Sequence, residues 1–333
     1  MKTSKLVIII AYIILLMLAC SPFRNLGRIV SAVATNYVKV MSFNIHHNSS
    51  GWPQSSSPGQ DWRRSLVFRS IRIEAPDVIG LQEAYMWQVN HLIEEFPDYN
   101  FVGRGRNADG GGESVSILYR KSRFEVLEME SGTFWFSNRP DVPGSKPGRL
   151  WGSPTHPRIC TWVHLSQKST NHCFYVFNLH LQHNAGTDPE LCRVSSVNLL
   201  LERIANRNHS DDPYIIIGDF NATPNSIPIR YLTDAYEGTI TYCPESGVLA
   251  CHELGNPNKV IDVWKHLYPD SNIGTRCNGG SGTGSRIDYI MISPDIGTDI
   301  MKIGSKINDR CPSDHCSVTA GLLVPLGGSE YID

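Results

Sequence analysis

Carboxylates, carboxamides and imidazoles gather in five short segments of this chain. They are Ser42-Phe43-Asn44, Gly80-Leu81-Gln82-Glu83, Asn178-Leu179-His180, Gly218-Asp219-Phe220-Asn221, and a C-terminal pair, Arg286-Ile287-Asp288-Tyr289 with Ser313-Asp314-His315. Carboxylate and amide oxygens are hard ligands suited to Mg²⁺. Histidines beside them suit proton transfer or phosphate binding. No cysteine–histidine spacing of a zinc site accompanies them. The chemistry these types can do together is metal-assisted hydrolysis at phosphorus.

Each segment sits at the end of, or just after, a run that reads as a buried strand. Residues 38–43 alternate and deliver Asn44; residues 78–81 deliver Glu83. Residues 160–165 and 174–179 read as a hairpin leading to His180. The continuous apolar run 214–217, expected to be buried on both faces, leads to Asp219. Further strands are expected at 99–102, 115–119, 124–130, 287–292 and 316–324. Asp61 is placed to cap a helix that Pro76 ends, a second helix is expected over 85–96, and Asp188-Pro189 opens a third. That third helix carries Leu191, Val194, Val197, Leu200, Leu201 and Ile204 at helical spacing. Strands alternating with helices in part, and forming hairpins in part, predict mixed sheets in an α/β chain.

The ordered set of segments resembles the endonuclease/exonuclease/phosphatase superfamily, the DNase I-like phosphoesterases, over residues 37–324. A single such tripeptide carries little weight; five in the family's order carry the resemblance. The stretches Gly132 to Ser137, Pro143-Gly144-Ser145 and Arg158 to Trp162 resemble a poorly characterised branch of it. The resemblance implies a four-layer sandwich, two packed mixed β-sheets flanked by helices. It implies Glu83, Asn44 and Asp314 at a Mg²⁺ site, with Mn²⁺ as a substitute. By the same resemblance Asp219 orients or deprotonates the attacking water, and the Asn221 amide holds the phosphorus centre. His315 faces the scissile phosphate with Asp288 fixing its tautomer, which would raise its pKa. His180 binds the phosphate or protonates the leaving oxygen. Arg158 is a candidate phosphate contact, with a surface salt bridge as the competing reading. His46, His47, His156 and His183 are assigned no role. Trp135 and Trp151 are candidates for a substrate rim or for core packing.

With 333 residues and 41% hydrophobic content, the chain can build one large core, so a single domain over 37–324 and a short tail at 325–333 are expected. Lys2 and Lys5 precede an apolar run over 6–19, which reads as a signal peptide within 1–20 and hence a secreted protein. Two alternatives stand beside it: an uncleaved signal anchor, and lipid attachment at Cys20, since Met17-Leu18-Ala19-Cys20 resembles a lipoprotein cleavage box. Eight cysteines follow Cys20, which in an exported chain points to disulfides. Cys243 and Cys251 could staple one loop; Cys311 and Cys316 bracket Asp314-His315 and could hold it together or with other partners.

The formal net charge of −2 shows no bulk basic excess, which weighs mildly against a nuclease. Export weighs against abasic-site repair and messenger-RNA deadenylation. The expectation is a secreted, monomeric, Mg²⁺-dependent phosphodiesterase using in-line attack of water, with nucleic acid first among substrates. A phospholipid head group such as sphingomyelin and a phosphomonoester are the alternative substrates. A non-catalytic binding protein or a toxin subunit on the same fold is the alternative class. No obligate protein partner is expected.

Overall fold

The computed structural model describes residues 36–47, 50–54, 61–147, 156–183, 189–233, 240–241, 253–254, 256, 258–277 and 283–325. The order begins β1 (Tyr37–Asn44), α1 (Trp62–Glu74), β2 (Val78–Gln82), α2 (Met86–Glu95), β3 (Tyr99–Val102), β4 (Ile117–Arg120) and β5 (Phe124–Trp135). It continues β6 (Ile159–Gln167), β7 (His172–His180), α3 (Pro189–Ala205), β8 (Tyr214–Asp219) and α4 (Ile227–Leu232). The last elements are β9 (Ile240–Thr241), β10 (Glu253–Leu254), β11 (Ile261–Asp262), α5 (Val263–Leu267), β12 (Asp288–Ile292), β13 (Gly297–Ile303) and β14 (Val318–Leu323).

Two six-stranded sheets result, in the orders β13-β14-β1-β2-β4-β3 and β11-β12-β8-β7-β6-β5. Both are mixed: β1–β2 and β7–β8 are parallel, while β2–β4, β8–β12 and β6–β7 are antiparallel. Because successive strand side chains point to opposite faces, each strand splits its apolar residues between two cores. Val38 and Val40 join Ile215, Ile217, Ile290 and Ile292 between the sheets. Met41 and Phe43 face outward and pack with Val67, Ile71, Val89 and Leu92 of α1 and α2. On the other side Ile216, Tyr289 and Met291 pack with Val197, Leu200, Leu201 and Ile229 of α3 and α4. The architecture is therefore the expected α/β four-layer sandwich.

Local details depart from the sequence reading. Asp61 precedes α1 but makes no side-chain cap; its Oδ2 accepts instead from Arg64 Nη2 at 2.5 Å. β5 runs on to Trp135 through a register shift between Val126 and Ser131, with Met129 at φ +59°. Trp135 is only 2% exposed and donates from Nε1 to Arg106 O, so it is packed rather than a rim residue. Cys311 is joined to Cys277 rather than to Cys316. Cys160, Cys173, Cys192 and Cys316 are buried thiols. The N-terminal segment 1–20, Trp151, Cys243 and Cys251 lie outside the described residues. Among the described residues no helix is long and apolar enough to cross a membrane.

Candidate active site

The face-to-face alternation that builds the inter-sheet core also builds the site. Following the same face along β1 gives Val38, Val40, Ser42, Asn44; along β2, Val78, Gly80, Gln82; along β7, Val176, Asn178, His180; along β8, Ile215, Ile217, Asp219. At one end of the sandwich the inward apolar positions thus become polar. Pairing of Asn44 with Gln82 and of Asp219 with both His180 and Asp288 brings these ends together. Ser42, Asn44, Gln82, Asn178, His180, Asp219 and Asp288 are all buried. Buried polar groups must be hydrogen-bonded to be tolerated, and here they bond across the sheets. Gln82 Nε2 donates to Asn178 Oδ1 at 2.7 Å, and Asn178 Nδ2 donates to Leu81 O and Ser116 O at 2.9 and 3.0 Å. Gly80 permits this approach: a Cβ there would stand 2.4 Å from Ile217 Cδ1 and 2.8 Å from Asn178 Cγ.

Asp219 is the hub. Asn44 Nδ2 donates to its Oδ2 at 3.0 Å and also to Glu83 Oε1 at 3.0 Å, so one amide orients both carboxylates. The Asn221 backbone N–H donates to Asp219 Oδ1 at 2.9 Å. His180 Nε2 and His315 Nε2 stand 3.5 and 3.7 Å from Asp219 Oδ2. Glu83 and Asn221 sit in the left-handed region at φ +58° and +48°. Such conformations are costly for residues with a Cβ and cluster at functional sites.

Each imidazole has a defined partner on its far nitrogen. His315 Nδ1 donates to Asp288 Oδ2 at 2.8 Å. Burial alone would lower its pKa, but the Asp288 and Asp219 carboxylates overcome this and raise it to about 10. His180 is the opposite case. Arg158 donates from Nη1 to His180 Nδ1 at 3.0 Å. Burial, and then the Arg158 charge, hold the His180 pKa well below the ordinary value. His180 is therefore neutral with its proton on Nε2, a donor aimed at the same space. Asp219 itself is raised to about 7, by burial first and the Asp288 charge second.

Arg158 is 4% exposed, which removes the surface salt-bridge reading. Its Nη2 also donates to His183 Nδ1 at 2.7 Å. His183 and His47, which the sequence left unassigned, both belong to the network. His47 donates from Nδ1 to Glu83 Oε2 at 2.7 Å and from its backbone N at 3.2 Å. Burial would raise the Glu83 pKa, but the hydrogen bonds from His47 and Asn44 outweigh it, keeping Glu83 ionised. Position relative to Asn44 and His180 is the only sequence signal for either residue.

The fit to a divalent ion rests on exposure and donor chemistry. The Glu83 and Asp314 side chains are 17% and 28% exposed, whereas Asp219 is 2%. The open end of the site thus carries ionised or acidic oxygens, as Mg²⁺ or Mn²⁺ requires. Glu83, His180 and Asp219 offer ligand atoms within 4.8 Å of one another, as do Glu83, His46 and His47. Asp314 lies beside this group, with Oδ1 3.7 Å from His46 Nδ1. Asn44 Oδ1 accepts from the His46 backbone N–H at 3.0 Å.

The endonuclease/exonuclease/phosphatase family model matches residues 41–315, and the chain belongs to that family. An uncharacterized protein of Acanthamoeba polyphaga mimivirus is 30% identical over 165 residues, 48% of this chain and 58% of that protein. The chain therefore matches little more than half the length of this relative. Among solved structures, an endonuclease/exonuclease/phosphatase of Bacteroides vulgatus is 25% identical with a TM-score of 0.67, over 87% of this chain and 99% of that one. A mannosyl-6-phosphatase of Bacteroides thetaiotaomicron is 25% identical with a TM-score of 0.66, over 86% and 99%. Family and fold are those of phosphoester hydrolases.

Proposed function

We propose that this chain hydrolyses phosphoesters by in-line attack of water, with Mg²⁺, or Mn²⁺ in its place, as cofactor. The observation that carries the reading is the convergence on Asp219 of Asn44, His180 and His315, each bonded to a further partner that fixes its direction. Glu83, Asn44 and Asp314 would hold the metal, which supplies charge stabilisation to the phosphate and leaving oxygen when bound. Asp219 holds the attacking water and accepts its proton. A carboxylate raised to about 7 is matched to that task near neutrality. His315, charged through Asp288, donates from Nε2 to a phosphoryl oxygen, and neutral His180 donates to a second. The Asn221 amide, which gives one N–H to Leu181 O at 3.1 Å, offers its other to the phosphate.

For substrate, the likeness to a mannosyl-6-phosphatase supports a sugar phosphomonoester. The net charge of −2 fits a small substrate better than a polyanion. Nucleic-acid and phospholipid diesters remain arms of the same assay. The purified protein is offered mannose 6-phosphate, other sugar phosphates, plasmid DNA, RNA and sphingomyelin with Mg²⁺. Release of phosphate from a sugar phosphate, at a kcat/KM well above that for either diester, is expected. Preferred cleavage of a diester would overturn the monoester reading. Export is proposed with it, supported by the basic and apolar N-terminus and the Cys277–Cys311 disulfide. Fractionation of cells expressing the full chain tests it, and retention in the cytosol contradicts it.

A further inference from the structure

The geometry points to a second metal site, for a zinc ion held by Glu130, His164 and His209 on the outer face of the second sheet. These residues offer ligand atoms that all lie within 4.8 Å of one another. The site is separate from the active site. His164 pairs with Tyr175 in β7, five residues before His180 in that strand, or roughly 16 Å along it.

The decisive feature is His164. Its side chain is wholly buried. One ring nitrogen, Nε2, is bonded to Asp212 Oδ2 at 2.8 Å. The other, Nδ1, is buried and has no hydrogen-bond partner. A buried imidazole nitrogen without a partner calls for explanation, and a role as a metal ligand is one. The arrangement has the form of a metal-binding histidine, whose other nitrogen gives its proton to a carboxylate that fixes the tautomer and leaves a lone pair for the metal. The ring is locked besides by stacking on Tyr175, with centroids 3.9 Å apart and planes at 4°. His209 lies beside it with a centroid separation of 4.9 Å.

Glu130 is held as a ligand would be. Tyr175 donates from its hydroxyl to Oε2 at 3.1 Å, and Asn208 donates to Oε1 at 2.5 Å. Arg207 donates to Asp212 O at 2.8 Å and also to Ser210 O, pinning the loop that carries His209. The two carboxylates, Glu130 and Asp212, match the charge of a divalent ion held there. Two imidazoles and one carboxylate with a water as fourth ligand is a donor set that suits Zn²⁺ over Mg²⁺.

The test is Zn²⁺ binding by the full-length protein after chelator treatment, in excess Mg²⁺ to occupy the active site. Titration calorimetry and the visible spectrum of Co²⁺ read the outcome. We expect one tight equivalent that survives Glu83→Gln, gives tetrahedral Co²⁺ absorption and raises Tm. His209→Ala and Glu130→Gln should each weaken it ~10-fold or more, while Mg²⁺-dependent hydrolysis stays unchanged. The inference is overturned if Zn²⁺ does not bind, if Glu83→Gln abolishes binding, or if both outer-face variants bind with wild-type affinity.

Discussion

Asp219 draws its chemistry from neighbours that share one property: each has a second partner that dictates which atom it turns toward the centre. Asn44 is set by His46 and Glu83, His315 by Asp288, and His180 by Arg158. The two histidines consequently end in different charge states within one cleft. The His315 pKa of about 10 lies above the ordinary 6.5. Stability from its charge is thus fully present below pH 6.5 and is lost as pH rises through 10. In the mechanism we propose Asp219 acts ionised, and its pKa is raised to about 7. Hydrolysis should therefore rise as pH increases through about 7 and fall as it approaches about 10, measured as kcat/KM against pH. Asp288→Asn removes the leading charge that raises His315, so the alkaline limb should move toward lower pH. His47→Ala removes a bond to Glu83, and calorimetry with Mn²⁺ should register a ~10-fold or greater loss of affinity. The residue types and order of the site were legible in the sequence because they sit at strand ends with apolar runs before them. The parts played by His47 and His183 were not, because nothing in a linear spacing shows which imidazole reaches a carboxylate on another strand.

At the level of elements, alternation explains both what was legible and what was missed. Central strands β2, β7 and β8 are buried on both faces and read as apolar runs, while β1 reads as an alternating strand with Tyr37 and Lys39 partly exposed. β13 (Gly297–Ile303) was missed because among the described residues it is an edge strand paired with β14 alone, and most of its side chains are partly or fully exposed. α4 and α5 were missed because they have six and five residues, too few for a helical period to show. Asp262 caps α5 through Trp264 N and Lys265 N and holds Arg286 with bonds of 2.9 and 2.7 Å, a long-range pairing that no local pattern reveals. The close approach of β2 to β7 and β8 depends on Gly80. Gly80→Ala should destabilise the fold by ~1–3 kcal/mol through overpacking, visible as a lower midpoint in chemical denaturation. The sites of Glu130, His164 and His209, drawn from β5, β6 and a loop, show why zinc-type spacing is absent from the sequence.

Across the whole molecule, the sandwich brings two sheets to one polar end and fastens the Ser313-Asp314-His315 segment there. Cys277 N donates to Asp314 O, Cys316 N donates to Thr275 O, and the Cys277–Cys311 disulfide closes the same region across 34 residues. Cys311→Ser should cost ~2–4 kcal/mol of stability, measurable as a fall in Tm that reducing agent reproduces in the wild type. In the mechanism we propose, Asp219 activates water for metal-dependent hydrolysis at phosphorus. The direct measurement is release of p-nitrophenol from p-nitrophenyl phosphate and its bis ester by purified wild-type and Asp219→Ala proteins, with Mg²⁺ and with EDTA. EDTA-sensitive turnover is expected, falling ~10²–10⁴-fold in Asp219→Ala, with the circular-dichroism spectrum unchanged. Full activity in a folded Asp219→Ala protein, or turnover that EDTA leaves intact, would contradict it.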